Sequence, residues 1–462
     1  MSDILLTHSN HLFYDRKQVQ KMQPYPPLQT QLAAAVLREA GLDVALFDST
    51  LNAPEEGFEA ALQRHSPRLV VVCEDDFNFL TKMCLLRNRE LAFWMAAAAR
   101  DRGIRCAVHG SDAADHLQAF LDAGFDYVLI GEVETTLLEL AHGARAEQIA
   151  GLAYSGAGGR ARFTPPRPSR KNLDELPMPA WDMIDADQYR AAWIEAHGYF
   201  SLNLVSSRGC PYRCNWCAKP VHGSNYRVRS AQLVAEEMLA VKQMHQPDHL
   251  WFADDIFALS AKWTTEFAAA VERLDVRTSF KMQSRCDLMT RDTADALSRA
   301  GCSEVWMGAE SGSQGVLDSM DKGIRVEQTY AARENLRRCG VRACFFLQFG
   351  YPGETWQDIQ ATIRMVRDLR PDDIGVSVSY PLPRTKFYEN VAGQLGVKAN
   401  WSDSADVSMM FQGAYSTEFY RALADALHME VRERPSASVL DRAWQKVREL
   451  ERYSGRACEV SA

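Results

Sequence analysis

The chain lacks an excess of basic charge: 52 Lys and Arg stand against 60 Asp and Glu over 462 residues, a formal net charge of −8. No basic block interleaved with aromatics stands out either, so a nucleic-acid partner is not expected. It also lacks any uninterrupted apolar run approaching the roughly 20 residues of a spanning helix, which argues against a membrane span. The opening Met1-Ser2-Asp3-Ile4-Leu5-Leu6 has no basic region and too short an apolar core for a signal peptide, and the expected location is cytoplasmic. In that reducing compartment 11 cysteines do not make a disulfide framework; they read as buried thiols plus one metal site. The length allows two or three domains, each with its own core.

What is present is Cys210-Pro211-Tyr212-Arg213-Cys214-Asn215-Trp216-Cys217, a C-x3-C-x2-C triplet directly after the apolar run Leu202-Asn203-Leu204-Val205. Thiols so close in sequence face one centre, and soft sulfurs suit an iron–sulfur cluster or zinc. Structural zinc wants a fourth ligand nearby, and His222, five residues on, is the candidate; a zinc-stabilised binding protein is thus the non-enzymatic alternative. On a four-iron cluster, three protein ligands leave one iron open to a chelating cosubstrate. Cys339 and Cys344, the other close pair, read as buried structural thiols.

Hydrophobic periodicity gives two α/β regions. Strands are expected at 3–7, 44–48, 69–73, 105–109 and 127–130, with helices near 28–40, 87–102, 112–123 and 134–142. Such alternation predicts a doubly wound, Rossmann-like parallel sheet over residues 1–145. Gly156-Ala157-Gly158-Gly159 through Pro168 reads as an interdomain connection inside a linker and entry segment, 146–195. The beat then lengthens, with strands at 202–206, 248–253, 277–283, 303–308, 341–349 and 373–379, predicting a partial (β/α)6 barrel over 196–390. Ser230 caps the first barrel helix, with Val234, Met238 and Val241 on its inward face. A helical C-terminal tail, 391–462, carries a Met and aromatic stripe that reads as a cap against the barrel mouth.

The triplet, with an aromatic before its third cysteine and a strand ahead of it, resembles the radical S-adenosylmethionine superfamily. The resemblance implies a 4Fe–4S cluster on Cys210, Cys214 and Cys217, bound S-adenosylmethionine, a 5′-deoxyadenosyl radical that abstracts hydrogen from substrate, and an electron donor such as flavodoxin or ferredoxin. Strand-end residues of the barrel then read as the cosubstrate cradle. Arg285 suits the carboxylate through paired donors, Glu310 the ribose hydroxyls, Gly308 a close backbone approach, and Trp216 and Tyr380 the adenine, with Asp254 at the second strand end. The plain alternatives are a loop-stabilising Asp254 and an Arg285 held in an exposed ion pair.

The first region resembles the cobalamin-binding domain that precedes many radical S-adenosylmethionine domains, through its Pro-Pro-Leu helix start and the turns Gly110-Ser111 and Gly131-Glu132, the candidate pocket. The D-x-H-x-x-G motif that supplies an axial histidine is absent from the chain. Either cobalamin is held without a protein histidine or the domain has kept the fold and lost the cofactor; His109 reads as hydrogen-bonded scaffold. Together the resemblances imply cobalamin-dependent C-methylation of a small-molecule or biosynthetic intermediate, with radical cyclisation or rearrangement as the alternative. Methylthio transfer, which invites a second cluster on Cys73, Cys84 and Cys106, is disfavoured because Cys73 and Cys106 lie in strand-like runs.

Overall fold

The computed structural model describes residues 2–219 and 221–459. The chain divides into two compact units, the first made of Met1–Pro211, Lys219–Asp255 and Asn400–Asp406, the second of Tyr212–Ala218, Ile256–Ala399 and Val407–Ala462.

In the first unit, β1 (Ile4–Thr7), β2 (Val44–Leu46), β3 (Leu69–Cys73), β4 (Arg105–His109) and β5 (Tyr127–Leu129) pair in parallel, in the order β2-β1-β3-β4-β5. Both faces are buried. Leu5, Val70, Val72, Cys106 and Val108 enter one core, while Ile4, Leu6, Val71, Cys73 and Ala107 enter the other. A strand buried on both faces needs a continuous apolar run, which Leu69–Cys73 supplies. The order reverses between β1 and β3, and in open α/β sheets ligands bind at such a switch point, outside the carboxyl ends of the strands.

Two expectations change here. The Gly156–Gly159 stretch is a hairpin turn between β6 (Leu152–Ser155) and β7 (Ala161–Phe163), both added antiparallel to the edge beyond β5. The first sheet is therefore mixed and runs past residue 145 into the stretch read as linker. β7 is short and largely exposed, so it lacks the apolar pattern that marks a strand. The tail is not one body either: Leu86 N–H donates to Trp401 O at 3.1 Å and Ser404 N–H to Asp15 Oδ2 at 2.8 Å, tying seven tail residues to the first unit.

The second sheet contains β8 (Ser201–Leu204) and, after the short hairpin β9 (Ser207–Arg208) with β10 (Arg227–Val228), the strands β11 (His249–Phe252), β12 (Ser279–Ser284), β13 (Cys302–Glu310), β14 (Arg342–Phe349) and β15 (Asp373–Val378). Its order, β15-β14-β13-β12-β11-β8, lays each new strand beside the last, the progression of a parallel partial barrel. Ser230 Oγ caps helix Ala231–His245, and Val234, Met238 and Val241 are buried, as the spacing predicts. Among the described residues no helix is long and apolar enough to cross a membrane.

Candidate cluster and cofactor site

The cysteine loop leaves β8 through Ser206, Ser207, Arg208 and Gly209. Asp254, just past β11, holds its start: its carboxylate accepts from Ser206 N–H at 3.1 Å, from Ser206 Oγ at 2.7 Å and from Ser207 Oγ. Burial pushes this carboxyl up to about 6, against the donors that lower it. Asp254 is thus engaged in positioning the loop, the plainer of its two readings. Gly209 sits at φ +78°, where a Cβ would lie 2.5 Å from Asn225 O, so only glycine fits ahead of Cys210.

All three thiols are partly buried and outside any disulfide. In the second unit the loop is held by Asn215, whose every polar group is used. Its N–H donates to Met320 O at 3.0 Å and its side-chain amide to Ser319 O at 2.7 Å. Tyr351 OH donates to its side-chain oxygen at 2.8 Å and Phe387 N–H to its carbonyl at 3.0 Å. Sequence reading passed over this residue, since an asparagine inside a cysteine motif carries no signal until its four partners, distant in sequence, are assembled. No three His, Cys, Asp or Glu side chains converge as on a single ion among the described residues. A cubane does not ask for that, because each thiolate takes a different iron. A donor set of three partly accessible thiols outside any disulfide suits the cluster.

Around Cys214 the second unit gathers several of the expected residues. Arg285 is 5% exposed and places Nη1 3.8 Å from Cys214 Sγ, with its guanidinium 3.6 Å from the centre of the Tyr212 ring. Its Nε donates to Asp287 at 2.9 Å, so the ion pair exists but is shielded from water, unlike the exposed pair of the plain reading. Glu310, at φ +56°, pairs with buried Lys322 at 2.6 Å. A Cβ on Gly308 would come within 2.5 Å of both Glu310 Oε1 and Lys322 Nζ; glycine there makes room for the pair. Lys322, missed in the sequence because it lies between elements, also stands over the Trp216 ring at 5.9 Å. Trp216 packs against Tyr351, Phe387 and Phe411 with its Nε1 buried and unpartnered among the described residues, so tail residue Phe411 does join the cap expected of the stripe. Tyr380 lies buried just beyond β15, where its carbonyl accepts from Leu382 N–H.

Glu354, in the turn after β14, accepts from Gly350 N–H at 2.7 Å through one oxygen while the other is buried without a hydrogen-bond partner among the described residues. Burial raises this carboxyl to about 8 from an ordinary 4.5. An acid with a raised folded-state value costs stability as pH climbs from its unfolded value to its folded one. Glu354→Gln, which keeps the acceptor, is therefore expected to melt like the parent at pH near 5 and several degrees higher at pH near 9, measured by circular dichroism.

At the first sheet's switch point, Ser9 after β1 donates from N–H at 3.0 Å and from Oγ at 2.6 Å to Glu74 after β3. Glu74 Oε2, both Asp76 oxygens and Ser111 Oγ are buried without partners among the described residues. Each such group costs about 1–3 kcal/mol if nothing completes it, so this edge is chemically suited to a polar ligand. Burial raises Glu74, Asp75 (to about 6) and Asp76. The run Glu74-Asp75-Asp76 after an apolar strand was visible in the sequence, but the strand order that makes it the switch point was not.

The four turn residues named from sequence divide. Gly110 faces Glu74, which a Cβ would approach to 2.8 Å, so bulk there tests the fold rather than a cofactor. Gly131, at φ +81°, has open space beside it, and its carbonyl accepts from His109 Nε2 at 2.8 Å. Ser111 joins the buried unpartnered set. Glu132 instead pairs with Arg208 at 3.1 Å and with Arg227. Cys73 and Cys106 point into opposite cores, with burial pushing both thiols up, which removes the basis for a second cluster there.

The Radical SAM superfamily model matches residues 204–366. An uncharacterised methyltransferase of Pyrococcus horikoshii is 30% identical over 282 residues, 60% of either chain. The anaerobic magnesium-protoporphyrin IX monomethyl ester cyclase of Rubrivivax gelatinosus is 24% identical over 281 residues, 59% of this chain and 50% of that one. The chain thus spans between half and two thirds of the length of these curated relatives. The solved structure of TsrM, a radical S-adenosylmethionine methyltransferase from Kitasatospora setae with cobalamin and a [4Fe-4S] cluster bound, superposes with a TM-score of 0.70 at 20% identity, covering 85% of this chain and 78% of that one. That likeness is one of fold, and it extends over both sheets. The matched stretch begins at the strand that delivers the cysteine loop and runs on through the fifth barrel strand, so it is this part of the chain that is similar to the Radical SAM superfamily.

Proposed function

We propose that the protein cleaves S-adenosylmethionine reductively and, with cobalamin at the carboxyl edge of its first sheet, methylates an unactivated carbon of a small-molecule or biosynthetic intermediate. The observation that carries this reading is the joining, in one chain, of a C-x3-C-x2-C loop whose thiols form no disulfide to a Rossmann-like sheet whose switch point buries polar groups that lack hydrogen-bond partners among the described residues. When bound, the cluster and S-adenosylmethionine supply a 5′-deoxyadenosyl radical and cobalamin a methyl group. The chain's own part is position and exclusion of water. Cys210, Cys214 and Cys217 hold the cluster, and Arg285, beside Cys214, takes the cosubstrate carboxylate. Glu310 accepts from the ribose hydroxyls while Lys322 balances its charge, and Trp216 and Tyr380 pack the adenine. Asp254 acts through the loop it pins. A flavodoxin or ferredoxin serves as electron donor.

Anaerobic reconstitution with methyl-labelled S-adenosylmethionine, with and without cobalamin, tests the proposal. One cobalamin per chain and label in the product are expected. Cleavage without bound cobalamin at saturating supply would instead favour radical cyclisation or rearrangement, the reading to which the Rubrivivax cyclase lends weight.

The cradle is tested separately. Because Glu310→Ala would leave Lys322 a buried unpaired cation, the variant is made as Glu310→Gln with Lys322→Met. Its iron content should be unchanged and its affinity for S-adenosylmethionine at least about tenfold lower by equilibrium dialysis, about 1.4 kcal/mol. Unchanged affinity would remove the pair from the site.

A further inference from the structure

The first unit buries a further set of polar atoms without protein partners, joining residues far apart in sequence. His222, on the loop after the cysteine triplet, is 5% exposed, and neither ring nitrogen has a hydrogen-bond partner among the described residues. Its ring stacks on Phe77, centroids 5.3 Å apart and planes 20° apart. Asp76, the residue before Phe77, is fully buried with neither oxygen hydrogen-bonded among the described residues, although His109 Nε2 lies within ion-pair distance of Asp76 Oδ2, at 3.4 Å. Since that Nε2 bonds Gly131 O, His109 Nδ1 is left without a partner. Folded proteins pair the large majority of buried polar atoms, so three side chains with such atoms, each more than nine-tenths buried, point to a missing ligand.

Charge narrows its chemistry. Burial, then Arg208 and Lys82 nearby, hold His222 far below its ordinary value and therefore neutral. Burial and Asp75 raise Asp76 against Lys82 and Arg208, which lower it, and burial lowers His109, so each of the three groups is biased toward its uncharged form. Arg208 is already balanced by Glu132 and Glu134, and Lys82 by Asp255, so an anion finds no spare cation in these pairs. Neutral imidazole and protonated carboxyl each offer one donor and at least one acceptor, which matches primary amides. The corrin ring of cobalamin is fringed with amides. A metal-ligating histidine almost always gives its second nitrogen to a carboxylate or carbonyl; His222 has no such partner among the described residues.

Resting on the cobalamin reading, we infer that His222, with Asp76 and His109, forms a neutral hydrogen-bonding face that recognises the amide side chains of the corrin periphery, and that His222 does not ligate the cobalt. This puts a cobalamin-recognition residue on the segment just after the cluster motif, outside the domain to which cobalamin would be assigned from sequence.

The test measures hydroxocobalamin affinity and retained cobalamin per chain in the reconstituted full-length protein, with iron content and the electron paramagnetic resonance of the cob(II)alamin form. His222→Ala is expected to weaken binding at least tenfold with iron unchanged. His222→Gln, which keeps a donor and an acceptor, should recover most of it, and the parent spectrum should show no nitrogen splitting from His222. Equal affinity in His222→Ala overturns the inference while leaving the cobalamin reading intact. So does nitrogen splitting that disappears in His222→Ala, which would make the residue a cobalt ligand, or joint loss of iron and cobalamin, which would make it a folding residue of the loop. A parent protein that cleaves S-adenosylmethionine yet takes up no cobalamin removes both.

Discussion

Alanine at Cys210, Cys214 and Cys217 together is expected to leave a folded chain with no bound iron, against about four irons per chain in the reconstituted parent. The fold survives because the loop does not depend on its thiols. Asn215 fastens it through four groups, Asp254 fixes its entrance, and Cys210 adds a backbone bond to Gly223 O at 3.3 Å that alanine retains. The thiols themselves are only partly buried, so truncating them opens little cavity in the core. Iron and acid-labile sulfide per chain, read beside the circular dichroism spectrum, decide the matter. Four irons retained in a folded triple variant would move the cluster elsewhere.

The second large effect is expected at Arg208, two residues before Cys210. Its side chain is 3% exposed and bonds Glu134 through both nitrogens and Glu132 at 3.1 Å, while Gln29 donates to Glu134 at 3.0 Å. Arg208→Met leaves Glu134 buried without its cation, a change that costs on the order of 3–5 kcal/mol. Adding Glu134→Gln removes the stranded charge and should return most of that loss. The pH dependence has a definite sign. Burial alone would raise the Glu134 carboxyl, but Arg208 brings it down to about 2 from 4.5. A depressed acid contributes stability in full above its unfolded value and loses it as pH falls toward its folded one. In Arg208→Met the same carboxyl is raised by burial, so acid favours the variant. Urea midpoints should therefore differ most near pH 7 and converge as pH drops through 4.5. A gap that stays constant with pH would mean that Arg208 contributes through packing alone.

The residues readable in the sequence are those whose chemistry is local. Three thiols within eight residues must share a centre whatever the fold, and Leu69-Val70-Val71-Val72-Cys73 admits little but a strand buried on both faces. Arg285 and Glu310 were reachable as polar residues at the ends of apolar strands, and the structure places Arg285 beside Cys214 and pairs Glu310 with Lys322. Lys322, Asn215 and Arg208 were not, because each acquires its role from partners many residues away: Glu310, Tyr351 and Glu134 respectively. Glu132, read as a cofactor contact, turned out to hold two arginines, and β6 and β7 were too short for periodicity to mark.

By itself the amino-acid sequence determined the cluster chemistry, the two α/β regions and the strand-end turns, since spacing and hydrophobic period act over a few residues. Only the tertiary structure decided the order β2-β1-β3 that puts the switch point at Ser9 and Glu74, and the burial that leaves His222 and Asp76 without hydrogen-bond partners among the described residues. Strand order and dielectric are properties of the whole packed chain: a histidine five residues past a cysteine motif is a zinc ligand, a surface group or a cofactor contact according to what surrounds it. Here it meets Phe77, from a strand end well over a hundred residues earlier, and hydrogen-bonds no carboxylate among the described residues.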